Sequence, residues 1–198
     1  MDLYSGLTFN TEEDRPHLGG NVDEGDPLTF SPKVWEYLIN RFSLRSLLDL
    51  GCGLGYSSEF FFRHGIRTIA VDGLPTNIKR SVYPSLLIDL TMSPVVCNVD
   101  LVHCQEVVEH VEEKYLDNVL RSLCCGKFIV MTHALPGEEG HHHVNCQPHE
   151  YWIQHLESRG CNFLPTDTDR IRSIAQSEGA FFMAKSGLVF VNRNFSKT

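Results

Sequence analysis

No stretch of this 198-residue sequence approaches the roughly 18 consecutive apolar residues of a membrane-spanning helix, so no segment is expected to cross a bilayer as a helix. Positive charge is scarce. Seventeen Lys and Arg against 25 Asp and Glu leave a net charge of −8, which opposes broad attraction to phosphate backbones and disfavours a long nucleic acid as partner, although folding could still gather a basic patch. The seven cysteines (Cys52, Cys97, Cys104, Cys124, Cys125, Cys146 and Cys161) are odd in number and contain no CxxC pair. They resemble neither a disulfide framework nor a zinc ribbon and are expected to be reduced, mostly buried thiols. The opening MDLYSGLTFNTEEDRPH lacks the basic stretch and apolar block of a secretory leader, which points to a cytoplasmic location. Repeats, low-complexity tracts and interdomain linkers are also missing. With 42% hydrophobic and 21% charged residues, the composition is that of a globular protein with one core domain.

Residues 1–30 are rich in acidic residues, Gly and Pro without periodicity and read as an irregular arm, leaving 31–198 as the domain. In SPKVWEYLINRF, Ser31 stands at an N-cap, Pro32 at the first helical position, and Val34, Trp35, Leu38 and Phe42 near one face. Apolar strands follow at Ser46 to Leu50, Thr68 to Asp72, from Ser85, from Val99 and from Gly126. Helices are expected at YSSEFFFRHG and from Glu106 to Leu123 between strands, and at HEYWIQHLESRG and DTDRIRSIAQ after them; GLVFVN is a late strand expected to close one edge. The alternation predicts an α/β, Rossmann-like fold with a mostly parallel seven-stranded sheet and helices on both faces.

The strand ending at Leu50 runs into Gly51, Cys52, Gly53, Leu54 and Gly55 and then a helix, so backbone N–H groups face the crevice at the strand's carboxyl end. Asp72 ends the next strand, 21 residues beyond Gly51, where a carboxylate can accept hydrogen bonds from a ribose diol. A dinucleotide dehydrogenase would need glycine at position 56, which is Tyr56. DLGCGLG followed by AVDG instead resembles the first two motifs of class I S-adenosylmethionine-dependent methyltransferases, over Leu47 to about Val130. The resemblance implies that Asp49, Gly51, Cys52, Gly53 and Gly55 surround the methionine portion of the cofactor and that Asp72, with Gly73, holds its ribose. It further implies that Asp89 and Leu90 lie at the adenine and Gln105 at the methionine end.

Glu106, Glu109 and His110 stand at i, i+3 and i+4, and on a helix beginning at Glu106 all three share a face. QEVVEHV resembles the segment after the fourth strand in methyltransferases of the ubiquinone-biosynthesis type and in small-RNA 3′-terminal 2′-O-methyltransferases, some of which bind a divalent cation there. The loop ALPGEEGHHHVNCQP after the fifth strand brings His141, His142 and His143 toward the same crevice. Glu106, Glu109, His110 and His142 are the expected metal set, suited to Mn²⁺, Fe²⁺ or Zn²⁺ and less to Mg²⁺. Glu106, His110 and His142 are the catalytic candidates, a histidine serving as base if no metal binds.

An amine accepts a methyl group with little help, whereas an alcohol must lose a proton, so carboxylates and histidines in the acceptor region favour O-methylation of a small molecule or sugar. Two other readings are a terminal RNA 2′-O-methyltransferase, which the acidic balance opposes, and a cofactor-binding subunit without turnover. The sequence does not reach the acceptor's identity or the oligomeric state.

Overall fold

A computed structural model of the chain describes residues 8–12 and 14–196. The start of the arm, on which the expectation about a leader rests, lies outside the described residues. Among those residues no helix is long and apolar enough to cross a membrane.

The core is a seven-stranded sheet. β3 (Ser46–Leu50), β4 (Arg67–Asp72), β5 (Ser85–Leu87), β6 (Val99–Cys104) and β7 (Gly126–Met131) run parallel, while β9 (Leu188–Asn192) pairs antiparallel with β7 and β8 (Cys161–Phe163) antiparallel with β9. Their order is β5-β4-β3-β6-β7-β9-β8, so the chain winds outward in both directions from the β3–β6 pair and leaves a crevice at their carboxyl ends. This is the expected mostly parallel, Rossmann-like sheet, with one correction. β9 does not close an edge; β8 lies outside it. β8 has only three residues, with polar Asn162 at its centre, and offers no periodic signal.

Alternation along the strands feeds two cores. Leu48, Leu50, Val102, Cys104, Ile129 and Met131 pack against α4 (Leu116–Leu123) and α5 (His149–Glu157). Leu47, Leu101, Val130 and Val189 face the other way, toward α1 (Pro32–Phe42), α2 (Tyr56–Arg63), α6 (Pro165–Glu178) and α7 (Phe181–Ser186). Pro32 opens α1 after Ser31, and Val34, Trp35 and Leu38 are its buried stripe, as the pattern predicts. A short α3 (Pro75–Arg80) follows β4.

Two expectations fail for local backbone reasons. The arm is not irregular throughout, because β1 (Phe9–Thr11) and β2 (Gly19–Val22) pair antiparallel, with Phe9 opposite Val22. Nor is the stretch from Glu106 to Leu123 one helix. Glu106 has φ +55, outside right-handed helical geometry; two 3₁₀ turns follow, over Val108–His110 and Glu113–Tyr115, and only Leu116–Leu123 is α-helical.

Candidate active site

The β3–α2 turn needs its glycines. Gly51, Gly53 and Gly55 all have positive φ, at +73, +55 and +78, a region that side chains disfavour. A Cβ on Gly51 would strike Val107 and one on Gly55 the Ser81 hydroxyl, whereas one on Gly53 would meet nothing within 4 Å. Gly53 therefore borders open space, a cavity of about 940 Å³ over the carboxyl ends of β3, β4 and β6. That lies near the top of the roughly 300–1,000 Å³ range of small-molecule sites.

Asp72 anchors the turn. Its Oδ2 accepts Gly53 N–H at 2.8 Å, and its Oδ1 accepts Leu74 N–H at 2.8 Å and the Asn77 amide at 3.2 Å. Burial raises its carboxyl above the usual range, against the pull of those donors. Asp49, on β3, lies behind the loop: His103 donates Nδ1–H to one oxygen at 2.8 Å, and the Ser57 and Ser58 hydroxyls donate to the other at 2.6 and 2.5 Å. Burial opposes its ionisation, but these donors outweigh burial and hold Asp49 below the ordinary carboxylate range. His103 escapes a sequence reading because it sits inside an apolar strand; opposite Asp49 in register, it ties β6 to β3 just before the glycine loop. The Cys52 thiol is buried in the loop and raised by burial and by the charges of Asp49 and Asp72, so it is no nucleophile.

Gly73 and Leu90 line the same cavity. Asp89 does too, with its carboxylate engaged: His17 donates to Oδ2 at 2.9 Å, and Thr91 donates to Oδ1 through its backbone and hydroxyl at 2.8 and 2.7 Å. The arm thus reaches the crevice. Leu18 is buried at Gly73, Asn21 accepts from Asn77 at 3.2 Å, Arg80 pairs with Asp23 and Glu24, and Gln105 donates to the Thr29 carbonyl at 3.1 Å.

Glu106, His110, His141 and His143 line the same cavity, while Glu109 is buried outside its lining. Thr132 receives the Glu106 N–H at 2.8 Å and donates its hydroxyl to Glu106 Oε1 at 2.7 Å. Burial pushes the Glu106 carboxyl up to about 7 and Glu109 well above its ordinary value, the latter raised further by the charge of Glu106. Glu109 is fully buried, its carboxyl beside that of Glu106 and with no well-aligned hydrogen bond on either oxygen. Its carbonyl accepts the N–H groups of Val144 and Asn145, both at 3.0 Å, which pins the histidine loop beneath it.

His110 donates Nδ1–H to the His141 carbonyl at 2.7 Å, and His143 donates Nδ1–H to the Glu138 carbonyl at 3.2 Å, so each keeps its Nε2 lone pair free. Burial, then the neighbouring His143, lowers His110 to about 3; burial, then His141, lowers His143. One ligand atom from each of Glu109, His110 and His143 lies within 4.8 Å of the other two. The expected set is therefore redrawn. His142, turned aside by its own φ of +47, is not in the trio, and neither is Glu106, whose carboxylate meets Thr132.

Residues 48–131 match the sequence family described as methyltransferase domain. No curated protein matches the chain. Among solved structures, the sugar N-methyltransferase KedS8 from a Streptoalloteichus species is similar at a TM-score of 0.65 and 14% identity, over 87% of this chain and 90% of that one. The magnesium protoporphyrin IX methyltransferase of Synechocystis, with bound SAM, is similar at 0.56 and 16% identity over 67% of each chain. The methyltransferase domain of bacterial CtHen1-C is similar at 0.56 and 15%, over 69% of this chain and 86% of that one. At these identities the structural likeness is one of fold.

Proposed function

From the premise that this chain is a class I S-adenosylmethionine-dependent methyltransferase, with residues 48–131 matching that domain family, we propose that it methylates a hydroxyl of a small molecule or sugar, aided by a divalent cation on Glu109, His110 and His143. In this reading the backbone of Gly51, Cys52, Gly53 and Gly55, backed by Asp49, takes the methionine portion of the cofactor together with Gln105. Asp72 and Gly73 take the ribose, and Asp89 and Leu90 the adenine. Bound S-adenosylmethionine supplies a methyl group already activated on a sulfonium, so the chain's task is to align the acceptor and remove its proton.

One observation carries the acceptor side: a buried carboxyl with no well-aligned hydrogen bond lies within 4.8 Å of two imidazoles whose Nδ1–H groups are tied to carbonyls and whose Nε2 atoms are free. Metal-bound histidines characteristically have their other nitrogen fixed in that way. A carboxylate and two imidazoles suit Mn²⁺, Fe²⁺ or Zn²⁺ better than Mg²⁺. A cation there would supply the charge that lowers a hydroxyl's pKa. Glu106, a carboxyl in the cavity wall, is the group to take the proton. The net charge of −8 weighs against a long nucleic acid and leaves small hydroxylated acceptors as the favoured class.

Elemental analysis of untagged protein, followed by methylation assays on hydroxyl and amine acceptors with and without chelator, tests the reading. Bound transition metal, hydroxyl products, and loss of turnover in chelator with cofactor binding intact are expected, and Glu109→Gln should reproduce the loss. A metal-free protein fully active in chelator refutes the cation, and products methylated only on nitrogen refute the hydroxyl acceptor.

A further inference from the structure

Four of the seven cysteines gather at the end of the sheet opposite the cofactor crevice. Cys97 lies just before β6, Cys124 and Cys125 between α4 and β7, and Cys161 begins β8. They come from three separate segments of the chain and meet only on folding. Cys124 caps α4, and its sulfur lies 3.7 Å from that of Cys161, with both thiols free.

We propose that Cys124 and Cys161 form a dithiol couple that closes to an intramolecular disulfide by exchange with a small-molecule disulfide. The two sulfurs already touch, and bonding requires them to close from 3.7 Å to about 2.05 Å. Cys124 is half-buried and Cys161 fully buried, so an external reagent meets Cys124 first. Cys124 is also the better nucleophile: the Cys161 thiol donates toward it and the Arg159 guanidinium lies near, which together lower its pKa, whereas Cys161 is raised in return.

The neighbouring Cys125, which the Cys97 thiol lowers to about 6, is as exposed as Cys124 but is directed to a different partner. Its sulfur donates to the Val95 carbonyl at 3.2 Å and accepts the Cys97 N–H at 3.4 Å, which turns it toward the loop before β6.

The chemistry balances in two exchanges. The Cys124 thiolate attacks one sulfur of the small disulfide, the S–S bond breaks, and one small thiolate leaves and takes up a proton. Cys161 then loses its proton and attacks the Cys124 sulfur of the mixed disulfide, expelling the second small thiol. Two protein thiols are oxidised and one small disulfide is reduced to two thiols. The product would tie the carboxyl end of α4 to edge strand β8, far from the glycine loop.

The test treats native protein with oxidised glutathione, blocks remaining thiols at low pH, and maps peptides without reduction. The expected result is an intact mass lower by about 2 Da, a peptide linking Cys124 to Cys161, and reversal by dithiothreitol. Cys161→Ser should instead arrest at one glutathione adduct on Cys124. Calorimetry with S-adenosylhomocysteine on the oxidised protein reads the cofactor site separately, and the couple stands or falls by the map alone. Cys124 alkylated after oxidation, bridged to a different cysteine, or left as a mixed disulfide in the unsubstituted protein overturns the proposal. Should Cys161→Ser not fold, the map of the unsubstituted protein decides alone.

Discussion

Gly51 and Gly53 separate two roles that a sequence motif runs together. Both have left-handed backbone, so alanine at either costs about 1–2 kcal/mol of folding stability through the φ angle alone. Their surroundings then diverge. At Gly51 the added methyl strikes Val107, held between β6 and the first 3₁₀ turn, and overpacking of that kind adds about 1–3 kcal/mol. At Gly53 the methyl meets no protein atom within 4 Å, so it projects into the space that would hold the cofactor. Gly53→Ala should therefore lose only the backbone increment in urea unfolding yet bind S-adenosylmethionine and S-adenosylhomocysteine about 5- to 150-fold more weakly by calorimetry, if the ligand takes the same 1–3 kcal/mol overpacking. Gly51→Ala should show the larger loss of stability. A folded Gly53→Ala protein with undiminished affinity would refute the placement of the cofactor against this loop.

Removing the Asp72 carboxylate with Asp72→Ala should weaken cofactor binding by about 1.5–3 kcal/mol, the worth of charge-assisted hydrogen bonds, and unchanged calorimetry would remove Asp72 from the ribose site. Burial lowers the folded-state pKa of His133 to about 4, while the unfolded chain titrates it near 6.5. The unfolded state then binds more protons at this group between those values, so the contribution of His133 to stability should be flat above pH about 6.5 and fall by up to about 3 kcal/mol on acidification to pH 4. Urea titrations of His133→Gln should show a shallower acid slope; an identical slope would assign the effect elsewhere. Leu18→Ala, which removes the arm's buried contact at Gly73, should cost about 2–5 kcal/mol locally, read as faster proteolysis of the arm with the sheet's amide protection unchanged.

What was legible in the sequence follows from how each element is stabilised. β3, β4, β6 and β7 are short apolar runs because helices cover both their faces, and the glycine turn and Asp72 lie where those runs stop. The hairpin of the arm, α3 and β8 escaped because each is a few residues long and held by neighbours instead of by its own pattern. The apolar spacing of the segment after β6 fits a helix, while the left-handed Glu106 and the 3₁₀ turns re-aim its side chains. The spacing argument expects Glu109 and His110 on one helix face, whereas the structure brings them near His143 from a 3₁₀ turn. Three consecutive histidines are indistinguishable as letters, and the folded loop, with φ +47 at His142, brings His143 within reach of Glu109 and His110.

The hydrogen bonds that pin the histidine loop also bear on how readily the trio could be filled and emptied. Val144 and Asn145 on the Glu109 carbonyl fix the two segments to one another through main-chain groups, and the His110 imidazole is held by its Nδ1–H on the His141 carbonyl. An ion arriving there meets ligands whose conformational entropy was lost when the chain folded. Its affinity is then set by coordination and desolvation, not shared with the ordering of a loop. A domain that folds around its metal is unfolded by a chelator. Here a chelator would leave the backbone where it was, and occupancy would track the concentration and kind of metal available around the protein.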